Sequence, residues 1–192
     1  MHRKWLGAAL LAVLAAGCGE GHAIFNVDVQ SFMASTGADT LRVPPDPLPG
    51  ILPGSPPVRD SITPVGVDLP TAMSSSIVDT VLLTGSLDVT HSTGSGTFTY
   101  DVFFSSSSDP AVVYAGTPAL TVGPVSIPTT APVPITSQNL AAVVGDAFKG
   151  SALYVGIRAT VSNTGATNLQ STFKLTALQA RIVLQDRIFA GQ

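Results

Sequence analysis

From Ala152 to Ser162 apolar and polar side chains alternate without a break. Leu153, Val155, Ile157, Ala159 and Val161 share one parity, and Tyr154, Arg158 and Thr160 share the other. A period of two sends alternate side chains to opposite faces, so this segment predicts a half-buried β-strand. The same pattern recurs over 23–33, where Phe25, Val27 and Val29 oppose Asn26, Asp28 and Gln30. It recurs over 78–90, with Val81, Leu83, Leu87 and Val89 on one face, and over 97–104, with Phe98, Tyr100, Val102 and Phe104. The glycine-rich stretch Ser92–Gly96 between the last two predicts a turn, making 78–104 a β-hairpin.

Asn168–Arg187 is also strand-like, but its apolar parity changes. Phe173, Leu175 and Ala177 lie on one set, and Leu178, Ala180, Ile182 and Leu184 on the other. One inserted residue resets the faces, so a β-bulge is expected near Ala177. With Asn163-Thr164-Gly165 as its turn, this strand and 151–162 predict a second hairpin. Weaker strand signals lie at Ile62–Leu69, an edge strand, at Val112–Tyr114, and at Ala119–Ile127, which Pro124 interrupts.

Two stretches break the alternation. Residues 44–57 hold seven prolines, which remove backbone donors and fix φ, so no central strand runs there. An extended surface loop is expected, and a Pro-rich ligand for a docking partner is the alternative. Residues 128–134 are Pro-rich as well, and Ser105–Ser108 form a serine loop closing on Asp109-Pro110. The one helical pattern is Ser137–Lys149: Ser137 as cap, Leu140, Ala141, Val144 and Phe148 on one stripe, Gly150 as stop. A short helix near 138–149 is expected to plug one end of the fold. About eight strands with closely spaced turns predict an all-β, antiparallel two-sheet β-sandwich, Greek-key or jelly-roll-like.

Composition sharpens this picture. Charged residues make up only 11% of the chain, and Glu20 is the sole glutamate. Ser, Thr, Val, Gly and Pro fill the places that charged helix formers would take, which suits strands and turns.

The first twenty residues carry a different signal. His2-Arg3-Lys4 precede an apolar run, Trp5–Ala16, shorter than the roughly 20 residues of a spanning helix. Small residues then lead to Cys18, the only cysteine. Charged start, apolar core and small residues before the cut make an export signal. The sequence Ala15-Ala16-Gly17-Cys18 resembles the lipobox of bacterial lipoproteins, although Leu14 stands one place earlier than that pattern favours. The resemblance covers these 18 residues alone. It implies lipidation of Cys18, cleavage before it and anchoring in the bacterial cell envelope. Gly19 in place of Asp favours the outer membrane where the cell has one. The expected organisation is a cleaved signal over 1–17, a short tether over 18–22 and one β-sandwich domain over 23–192. Without the signal the chain holds 7 Lys+Arg against 12 Asp+Glu, which argues against nucleic acid as a partner.

Little else carries chemistry. His22 falls in the tether and His91 at a hairpin tip, neither with metal-ligand spacing to a second donor. A site built from His91, Asp88 or Asp101 and one of many serines is expected from chance alone, and no GxSxG occurs. Asp28, Asp68, Asp79, Asp88 and Asp101 occupy polar strand faces or turns, and Asp109 alone does not make a Ca²⁺ loop. No catalytic residue, metal or cofactor is assigned. Tyr114 and Tyr154 are the rings available to stack on a sugar. The expected function is that of a membrane-anchored, non-enzymatic structural or protein-interaction module with an envelope protein as partner. The alternative is a glycan or small-ligand binder using loops 44–57 and 105–110 at one end of the sandwich. An Asp-based hydrolase is the weakest reading.

Overall fold

The computed structural model describes residues 21–69, 77–149 and 152–186. Ten strands form two antiparallel five-stranded sheets that pack face to face. The first contains β1 (Gly21–Asp28), β2 (Thr40–Val43), β5 (Ile77–Thr93), β8 (Val133–Thr136) and β10 (Gln170–Asp186). The second contains β3 (Val58–Ser61), β4 (Val65–Asp68), β6 (Gly96–Ser105), β7 (Leu120–Ile127) and β9 (Ala152–Asn163). β1 and the shorter β2 share one edge of β10, and β3 and β4 share one edge of β9. This leaves eight strand positions in two four-position sheets, ordered β1/β2-β10-β5-β8 and β3/β4-β9-β6-β7. The first strand pairs the last, the second pairs the next to last, and so inward: the topology is a jelly roll.

The expected inward faces are the observed ones. Leu153, Val155, Ile157, Ala159 and Val161 of β9 are all buried, as are Val81, Leu83 and Leu87 of β5. Phe98 of β6 meets Phe173 of β10 across the core with ring centroids 4.8 Å apart. The bulge near Ala177 is present as a register shift between Leu175 and Ala177. Gly85 stands opposite, where a Cβ would come within 2.3 Å of the Ala177 carbonyl oxygen. The bulged strand folds into the space a side chain would need.

The two expected hairpins are instead arches. β5 and β6 do not pair: each crosses to the other sheet through Gly94-Ser95, and β9 reaches β10 through residues 164–169 in the same way. Each arch leans on the other, since Thr164 and Gly165 both donate backbone N–H to the Ser95 carbonyl at 3.1 Å. Alternation reports which side of a strand is buried, and it is identical in a hairpin and an arch.

Other expectations are corrected locally. Strand β1 starts at Gly21, so His22 belongs to it and not to a tether, and β1 ends at Asp28. Val29–Ser35 is a helix, α1, whose N-terminus Asp28 caps by accepting from the Ser31 N–H at 3.2 Å. Val29 and Met33, four residues apart, are its buried stripe. Val112–Tyr114 lies within helix α2 (Pro110–Ala115), capped by the Asp109 carboxylate with Pro110 in the first turn. β8 lies in the Pro-rich stretch; it is an edge strand, where Pro134 is tolerated. The helical stripe of Leu140, Val144 and Phe148 is buried. The helix, α3 (Ala141–Val144), is shorter than expected, and a 3₁₀ turn over Ala147–Lys149 continues it. Ser137 does not cap it: its hydroxyl accepts from the Leu83 N–H at 2.7 Å, and Asn139 receives the Ala141 N–H at 3.0 Å. The segment runs along the β5 edge past β8, then sets Gly145 beside Val78 near the start of β5 and Phe148 against Phe104 near the end of β6, with ring centroids 5.5 Å apart, so it packs at the end of the sandwich opposite the arches.

Candidate functional site

The Pro-rich loop 44–57 carries two of the exposed large apolar side chains on a fixed support. Its middle is fixed. Ile51 is buried and exchanges both backbone hydrogen bonds with Leu169, at 2.7 and 2.9 Å. The Asn163 side chain donates to the Ile51 carbonyl at 2.6 Å and to the Thr167 carbonyl at 2.8 Å. On either side of this pin, Leu48 and Leu52 are 52% and 59% exposed. An Arg42–Asp46 ion pair ties the entry to the loop. Ring-fixed φ and the Ile51 pin hold the two leucines in place before any partner arrives, which lowers the entropy lost on docking.

The loop lies at the arch end of the sandwich, because Asn163 is the register partner of Gly96, the first residue of β6. Ser105, the last residue of β6, opens the 105–110 loop at the far end of that strand. The two loops expected to form one ligand site therefore do not converge.

A groove of about 520 Å³ lies elsewhere, between α1–β2 and the β3–β4 connection. Thr36, Thr40 and Thr63 supply hydroxyls to it, and Leu41, Ile62 and Val65 supply apolar walls. Tyr154 packs against Gly66 at its rim, where a Cβ would lie 3.3 Å from the ring.

A polar row crosses the outer face of the second sheet. Thr121, Asp101 and Arg158 are register partners across β7, β6 and β9. The Thr121 hydroxyl donates to Asp101 at 2.7 Å, and the Arg158 guanidinium donates to it at 3.0 and 3.3 Å. The guanidinium also stands 4.7 Å from the Phe103 ring centre and donates to the Tyr114 carbonyl at 3.4 Å. Helix α2 covers this row. Gly156 lets it approach, since a Cβ there would come within 2.7 Å of Val113. The Tyr114 hydroxyl enters the gap between β3 and β4, donating to the Ile62 carbonyl at 2.6 Å and accepting from the Ile157 N–H at 3.1 Å. Burial pushes this phenol up to about 12, against the lowering influence of the Ile157 N–H and the Arg158 cation. Burial also raises Tyr100, with the Asp39 carboxylate adding to the effect. Both stay neutral at physiological pH and act as hydrogen-bonding or packing groups.

The other residues singled out in the sequence are dispersed. Asp88 and His91 belong to β5 in the first sheet, and Asp101 is ion-paired in the second. Asp28 and Asp109 are helix caps. Among the described residues no group of three or more His, Cys, Asp or Glu could hold a metal ion. Among the same residues, no helix is long and apolar enough to cross a membrane. Cys18 lies outside the described residues. No family model matches the chain, and neither curated proteins nor solved structures give a match.

Proposed function

We propose that this chain is a lipid-anchored protein of the bacterial envelope whose jelly roll serves as a non-enzymatic protein-docking module. The observation that carries the reading is the pinned Pro-rich loop presenting Leu48 and Leu52 to solvent. Two exposed leucines held on one fixed loop offer a partner an apolar contact that needs little ordering on docking. Cys18 supplies the anchor, and β1 begins three positions after it, so the domain sits close against the membrane. Photo-crosslinking from position 52 in intact cells tests the docking role: one partner protein captured by the wild-type loop and lost in Leu48→Ser is the expected result. Crosslinks to many proteins, unchanged by Leu48→Ser, would refute it.

A second reading has its own observation. The groove of about 520 Å³ with its threonine hydroxyls and the Tyr154 ring at its rim suits a neutral polyhydroxylated ligand such as a glycan segment. Retention on immobilised envelope polysaccharide, abolished by Thr40→Trp, would favour it over docking at the loop.

A further inference from the structure

Five edge strands are protected against pairing with another chain, and one, among the described residues, is not. β7 carries Pro124 and a register shift, and β8 is four residues long and carries Pro134. The shared edges of β2, β3 and β4 consist of four-residue pieces. β1 is different: eight residues, no proline, regular pairing with β10 along one side, and the end position in its sheet. Half of its backbone N–H and C=O groups point away from β10, and such a row is a template for another strand.

The side chains of β1 fit a second copy of the same strand. In an antiparallel pair about a two-fold axis at Phe25, Phe25 faces Phe25 of the other copy. Ala23 then faces Val27, Ile24 faces Asn26, and His22 faces Asp28. Both ends of the pair would join an imidazole N–H to a carboxylate. Asp28 has capacity for this: it accepts from the Ser31 backbone and hydroxyl at 3.2 and 2.7 Å, and a carboxylate offers about four acceptor positions. On the outer face the two Ile24 side chains become diagonal neighbours across the axis, close enough to cover each other. Ile24 is 53% exposed in the single chain, beside Val183 on β10. On the inner face Phe25 is half-buried and packs against the core.

We propose that β1 pairs with β1 of a second copy, joining two first sheets into one continuous sheet across a two-fold dimer. The surface is separate from the Pro-rich loop: β1 runs along residues 179–186 of β10, whereas the loop touches Leu169 just ahead of that strand. Failure of either idea therefore leaves the other standing.

Disulfide trapping in isolated membranes of cells making the full chain tests the pairing. Antiparallel partners stand about 4.5–5.5 Å apart at Cα, within the range a disulfide spans. Phe25→Cys is expected to give a covalent dimer on oxidation, well above the wild type, whose one thiol, Cys18, is blocked when lipidated. Because Phe25 touches the core, a second pair of variants guards against misfolding: Ile24→Cys and Asn26→Cys, both at exposed positions, co-expressed. Their mixed dimer should form, and Gln30→Cys in α1 should give none. His22→Asp should lower the yield about tenfold by placing like charges opposite each other at both ends, and adding Asp28→Asn, which keeps the helix cap, should restore it. Equal yields from Gln30→Cys, or no dimer from both the Phe25→Cys and the Ile24→Cys/Asn26→Cys tests, would overturn the proposal.

Discussion

Tyr114→Phe removes one oxygen and leaves the ring. The ring keeps its edge-to-face contact with Phe103, at 5.2 Å between centroids, and the variant keeps the surroundings of Val113. What goes is the hydrogen bond to the Ile62 carbonyl at 2.6 Å and the acceptor for the Ile157 N–H at 3.1 Å. Ile157 is buried, and helix α2 lies over its N–H. A buried donor left without a partner costs about 1–3 kcal/mol, and the lost hydrogen bond to Ile62 adds to it. The expected loss is about 2–3 kcal/mol, which in a domain of this size lowers the melting temperature by roughly 4–12 °C. Urea unfolding followed by circular dichroism measures it, with Tyr154→Phe on the same sheet as the control. The pH dependence gives a second readout. The folded phenol is pushed up to about 12 from its ordinary 10, so the folded state holds this proton more tightly than the unfolded chain. That contribution is complete below pH 10 and is lost as pH rises from about 10 to 12. Tyr114→Phe should flatten this alkaline fall in part, with Tyr100 supplying the remainder. A variant within about 0.5 kcal/mol of wild type at pH 7, with an unchanged alkaline limb, would refute the claim that this hydroxyl closes the gap between β3 and β4.

Three further outcomes are expected. Gly85→Ala places a Cβ 2.3 Å from the Ala177 carbonyl, and should lower stability by about 1–3 kcal/mol in thermal unfolding because backbone must move. Asp28→Ala removes the cap of α1 and should cost about 1 kcal/mol, whereas Asp28→Asn should cost little. Cys18→Ser should move the protein from the membrane to the soluble fraction and abolish palmitate labelling; a variant that stays membrane-bound, with no label in the wild type, would sink the anchor reading.

Much of the sandwich could be read from alternation because burial and parity are local properties. All five inward residues of β9 and the parity switch at Ala177 follow from that alone. Partner choice is not local, so β5 and β6 look like a hairpin although their hydrogen bonds go to β10 and β9. Spacing was ambiguous at Val29–Met33, where Val29, Ser31 and Met33 satisfy a strand while Val29 and Met33 satisfy a helix turn. The Asp28 cap decides for the helix, with Ser31 at the third helical position as the clue. β8 is the kind of edge strand that prolines at the spacing of 128–134 suggest, since Pro134 owes the ladder no donor there. The Pro-rich loop was legible as a loop, but its pin at Ile51 depends on Asn163 and Leu169, more than a hundred positions away. The Thr121–Asp101–Arg158 row was invisible for the same reason: it exists only once the registers of β7, β6 and β9 are set.

The most direct measurement of the docking role is recovery of a partner from crosslinked, intact cells, compared between wild type and the Leu48→Ser/Leu52→Ser variant. Both side chains are exposed, so the variant should fold with an unchanged melting temperature. The account predicts one stoichiometric partner with the wild type and at least a tenfold loss with the variant, about 1.4 kcal/mol at the contact. Equal recovery from both, or no partner together with retention on polysaccharide, would contradict it.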